Sequence, residues 1–107
     1  MATISLNTIT CLDQQESGGD EIYFKFADLG GNGTGQSVVV AGMDAGDTKS
    51  ISGTFNFLFN AKVTMFEEDT FFDDNIQSFF TGSAPNHYTV TLGNSEMKYV
   101  LDYVLTA

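Results

Sequence analysis

Two-residue alternation of apolar and polar side chains recurs along this chain and points to β-structure throughout. Ile22, Phe24 and Phe26 alternate with Tyr23, Lys25 and Ala27, and Ile4 and Leu6 alternate with Ser5 and Asn7 in a strand running to about Cys11. Ile51, Phe55, Phe57 and Phe59 share one parity, Val38, Val39 and Val40 form a short apolar run, and Val63 and Met65 lead into Glu67. Further strands are expected over 76–81, 88–92 and 97–105. Between them lie clusters that favour turns, such as Gly30-Gly31-Asn32-Gly33, Asp44-Ala45-Gly46-Asp47 and Gly93-Asn94-Ser95. No window sustains a helical stripe. Eight short strands in 107 residues predict a single domain over 1–107, an all-β, eight-stranded antiparallel two-sheet sandwich. A small closed barrel is the other arrangement with this strand count.

Charge removes several functions. Fourteen acidic residues face four lysines, for a formal charge of −10. No cationic patch is available to replace counterions on phosphates, so nucleic acid is excluded as a partner. Metal-free docking on anionic lipid is disfavoured for the same reason. No stretch is as long as a transmembrane segment, and Met1-Ala2-Thr3 lacks the features of a classical signal peptide. A protein that is cytoplasmic, or released by a non-classical route, is the expectation. One cysteine, Cys11, and one histidine, His87, give no nucleophile–base constellation. The chain is therefore expected not to be an enzyme.

The acids are concentrated in two connections. Asp13, Glu16, Asp20 and Glu21 follow the first strand, and Glu67, Glu68, Asp69, Asp73 and Asp74 follow the fifth. Such density calls for an offsetting cation or for full solvation. Hard carboxylate oxygens without histidine or thiolate suit Ca²⁺, and Mg²⁺ less well. On a strand end, Glu67 and Asp69 would point to one side and Glu68 away.

The stretch Asp13 … Gly18-Gly19-Asp20-Glu21-Ile22-Tyr23-Phe24-Lys25-Phe26 resembles the opening of a C2 domain. The later stretch Glu67-Glu68-Asp69-Thr70-Phe71-Phe72-Asp73-Asp74-Asn75-Ile76 is similar to the acidic third-loop segment of that family. Glu21 stands where the family has proline, Glu67 where aspartate is usual, and Gln77 where glycine ends the motif. The resemblance implies an eight-stranded sandwich with a calcium site between loops at one end. Asp13 and Asp20 would supply ligands from the first loop, and Glu67, Asp69 and one of Asp73 and Asp74 from the third. Phe71 and Phe72, between those carboxylates, would then contact a membrane or a partner. The implied function is a calcium-binding recognition module with a calcium-dependent protein or membrane-surface ligand. Two alternatives stand beside it: a metal-free acidic module binding a basic protein surface, and a structural subunit that assembles through its strand edges.

Overall fold

The computed structural model describes residues 1–14, 19–31, 33–69 and 72–107. It contains β1 (Ala2–Asp13), β2 (Asp20–Asp28), β3 (Thr34–Gln36), β4 (Val40–Met43) and β5 (Thr48–Ser50). These are followed by β6 (Thr54–Phe57), β7 (Ala61–Glu67), β8 (Asp74–Thr81), β9 (Asn86–Gly93) and β10 (Lys98–Thr106). No helix long and apolar enough to cross a membrane occurs among the described residues.

The segments form two antiparallel sheets. In the first, β5 and β6 lie end to end along β1, which pairs with β10, which pairs with β9. In the second, β3 and β4 lie along β2, which pairs with β7, which pairs with β8. Each pair of short segments is one broken edge strand, so the ten segments fill the eight positions the alternation predicts. The architecture is the expected eight-stranded sandwich.

Alternation explains which faces meet. Ile22, Phe24 and Phe26 point inward from β2, and Val63 and Met65 from β7, against Ile4, Ile9, Phe57, Tyr99 and Leu101 of the first sheet. Full burial of each large side chain contributes about 1.5–3 kcal/mol. Phe26 and Phe55 stack across the layers at 5.4 Å, and Tyr103 packs on both Phe79 and Tyr88. Cys11 is buried, as a small core residue would be.

Local departures occur at the breaks. Val38 is 63% exposed, because the chain turns from the β2 edge after Ser37 instead of forming a buried run. Phe59 shares the parity of Phe57 but sits in the 58–60 turn, 69% exposed. At these breaks the two sheets are joined. The Val38 N–H donates to the Ser52 carbonyl at 2.9 Å, while Ser37 exchanges bonds with the Phe24 backbone through its own N–H and its Oγ.

Candidate functional site: an acidic end of the sandwich

Strand directions bring the ends of β1, β4, β7 and β9 and the starts of β2, β5, β8 and β10 to one end of the molecule. Among the described acidic residues, only Asp28 and Asp102 lie away from that end. Asp44, Asp47 and Glu96 join it from turns that the sequence reading treated only as turns. Their acids are dispersed along the chain, and only the topology collects them.

The carboxylates at this end are used differently from one another. Asp20, at the start of β2, is wholly buried and accepts a 2.6 Å bond from the Tyr99 hydroxyl. Burial pushes the Tyr99 hydroxyl well above the ordinary tyrosine range, and its bond to Asp20 adds to the shift. Burial likewise raises the Cys11 thiol, which bonds the same hydroxyl. Glu67, the last residue of β7, is also wholly buried and lies in register between Ile22 and Asp74. Asp69 lies beyond the strand and is exposed, so it does not share the side to which Glu67 points.

Asp73 is exposed and accepts a hydrogen bond from the Tyr23 hydroxyl and a 3.3 Å bond from the Asp69 N–H. The tyrosine bond, aided by nearby Lys25, holds Asp73 below the usual aspartate range. Tyr23 stacks on Phe66 at 5.3 Å, and Lys25 Nζ lies 4.8 Å over the same ring. Asp13 is exposed at the end of β1, opposite Lys98, and Asp74 is exposed at the start of β8. Phe72 is 80% exposed beside these acids. Phe71 lies outside the described residues.

The sequence-based candidates thus share one end but not one pocket. Among the described residues, no group of three histidine, cysteine, aspartate or glutamate side chains converges to hold a metal ion. Asp20 and Asp73 each hold a tyrosine hydroxyl instead. As placed, the described donors do not fit a calcium cage, which needs six to eight oxygens. The tyrosine partners were missed because they lie far from the acids in sequence and carry the ordinary inward or outward phase of a strand.

Like charges meet at the rim. Desolvation by its neighbours and the adjacent carboxylate of Glu21 raise Glu68, with Asp73 adding to the effect. The Glu68 N–H donates to the Glu21 carbonyl at 2.8 Å, which keeps the two residues together. A raised carboxylate takes up its proton more readily in the folded chain than in the unfolded one. Its contribution therefore favours folding as pH falls through the folded value, and is complete below the ordinary 4.5. Asp73 and Asp102 have the opposite sign. Each is held below its ordinary 3.8, so its stabilisation is present above 3.8 and is lost as pH falls through the lower folded value. The melting temperature is expected to rise as pH falls from neutral towards 4.5, the ordinary glutamate value, and to fall in acid below 3.8. In a thermal melting series, Glu68→Gln should flatten the rise and leave the fall.

A second feature lies on the outer face of the second sheet. An open cleft of about 680 Å³ is lined by Lys25, Lys62, Thr64, Phe66 and Asn75, among others.

No protein-family model and no curated protein matches the sequence. Solved structures match its fold. CC2D1B, described as coordinating ESRCT-III activity during the mitotic reformation of the nuclear envelope, superposes with a TM-score of 0.74. The match is 10% identical and covers 99% of this chain and 54% of that one. A structure of a C2 domain superposes with a TM-score of 0.71 at 17% identity, covering 99% of this chain and 97% of that one. Human GIVD cytosolic phospholipase A2, in complex with a methyl gamma-linolenyl fluorophosphonate inhibitor and terbium chloride, matches with a TM-score of 0.68 at 10% identity. That match covers 97% of this chain and 17% of the phospholipase chain. The chain therefore has the C2-like fold, and it spans about half the length of the first of these proteins.

Proposed function

We propose that this C2-like sandwich is a non-catalytic recognition module whose acidic end binds a basic protein surface. The observation that carries the reading is the crowding of Glu21, Glu68 and Asp73 at the rim, where desolvation and then the like charges of its neighbours raise Glu68. A cationic partner relieves that repulsion on contact, and Phe72 adds an apolar anchor amid the charges. Calcium is the competing reading, favoured by the two wholly buried carboxylates, Asp20 and Glu67, at the same end. In that reading the ion would share Asp20 with the Tyr99 hydroxyl, which bonds one of its two oxygens.

One titration separates the two readings. Calorimetry with a lysine-rich peptide is expected to show binding that weakens with added salt and is indifferent to chelator. Glu21→Gln combined with Glu68→Gln should weaken it about tenfold, the effect of roughly 1.4 kcal/mol. No binding, or binding that appears only with calcium and is lost on chelation, would overturn the metal-free reading.

A further inference from the structure

Four sheet edges border the sandwich, and three of them carry devices that discourage strand pairing. The β3/β4 edge is interrupted over 37–39 and the β5/β6 edge over 51–53. The β8 edge opens on Asp74 and shifts register between Met65 and Phe66. The β9 edge differs. It is eight residues long, contains no Asp, Glu, Lys or Pro, and pairs with β10 without a register shift.

Its free hydrogen-bonding groups can be assigned. The Asn94 N–H donates to the Met97 carbonyl at 3.0 Å, so the residue pair inside it in the hairpin, Gly93 and Lys98, is a non-bonded pair. Accordingly the Gly93 N–H turns away from β10 and donates to Gln77 Oε1 at 2.9 Å. With a period of two, Thr91, Thr89 and His87 share that direction. The His87 N–H is taken by its neighbour's side chain, Asn86 Oδ1, at 2.8 Å. Both ends of the edge are thus capped by side chains, and the donors of Thr89 and Thr91 remain at its centre. Both threonines are exposed.

We propose that a second copy of this chain pairs with this edge, antiparallel, β9 to β9, about a twofold axis at Val90. In that register Thr89 faces the partner's Thr91, and each N–H donates to the other's carbonyl. The uncapped pair is therefore its own complement, as a twofold interface demands. Charge selects the same arrangement. β9 runs towards the acidic end, so antiparallel pairing points the two acidic ends in opposite directions along a molecule 40 Å long. With the axis at Val90, strand rise alone sets the two 94–97 turns about 25 Å apart, roughly three times the Debye length of about 8 Å, so repulsion between the acidic ends is screened.

Sedimentation equilibrium up to roughly 1 mM protein in about 0.15 M salt tests the pairing, because an interface this small belongs to the weak class. A monomer–dimer equilibrium is expected. Thr89→Pro removes a donor that faces the open edge and no ladder bond to β10, so the fold persists while dimerisation falls at least about tenfold. Amide exchange supplies a second readout. Thr89 and Thr91 should become more protected as concentration rises, whereas Val90, bonded to β10, should not change. A chain that stays monomeric throughout overturns the proposal. So does self-association that survives Thr89→Pro, which would place the contact on another surface such as the exposed Leu29 and Phe59 turns.

Discussion

Replacing Tyr99 with phenylalanine is expected to destabilise the fold by about 1.5–3 kcal/mol, the range for a lost hydrogen bond to a charged group. The ring stays and fills its place in the core, so no cavity accompanies the change. What disappears is the 2.6 Å bond from the hydroxyl to the wholly buried Asp20. A carboxylate in that position has no bulk water to turn to. In a chain of 107 residues the melting temperature should drop by roughly 10 °C. Urea unfolding of Tyr99→Phe beside Tyr23→Phe provides the control. Tyr23 serves the exposed Asp73, so the second variant should lose clearly less stability than Tyr99→Phe. Equal losses would mean that the burial of Asp20 carries no special weight.

Gly19→Ala should have an effect of similar or greater size, about 3 kcal/mol, for two reasons that act together. Gly19 has φ of +98°, a region that L side chains rarely occupy. A Cβ there would also lie 2.6 Å from the Gly42 carbonyl carbon and 2.7 Å from its Cα, so backbone has to move. Gly19 directly precedes Asp20, and any shift of the chain there withdraws the carboxylate from Tyr99. The two effects are therefore coupled. The double variant Gly19→Ala, Tyr99→Phe should lose clearly less stability than the sum of the single losses, measured by a urea double-mutant cycle. Strict additivity would separate the close approach of Gly19 from the Asp20 bond.

Much of this fold was legible because strand period is a local property. Ile22, Phe24 and Phe26 declare an inward face whatever their neighbours are, and the structure buries all three. Interruptions were not legible in the same way. Val38 and Phe59 carry the right residue type and parity for burial, yet each falls where its strand leaves the sheet, and only the pairing partners decide that. The acidic end was half legible. Sequence proximity marked Glu67, Glu68, Asp69, Asp73 and Asp74, and the topology set them at the same end as Asp13, Asp20 and Glu21. It did not reveal that Asp20 would be spoken for by Tyr99, a residue 79 positions away. Nor could it separate Glu67, the last residue in phase with the β7 core face, from Asp69, which lies past the end of that strand.

The two flanks of the sandwich are fastened unequally. On the side of the broken edges, Val38 is tied by backbone to Ser52, and a Cβ on Gly53 would lie 2.8 Å from Ser37, so the sheets there are in contact. On the opposite flank side chains reach across, Gln77 Oε1 to the Gly93 N–H and the Phe79 ring onto Tyr103. The molecule is built like a book with a spine stitched through the backbone and a fore-edge held by side-chain clasps. Thermal breathing is expected to follow the fastening, with β8 and β9 parting before the spine, and the rows of main-chain groups most open to a visitor are those on the pages that turn.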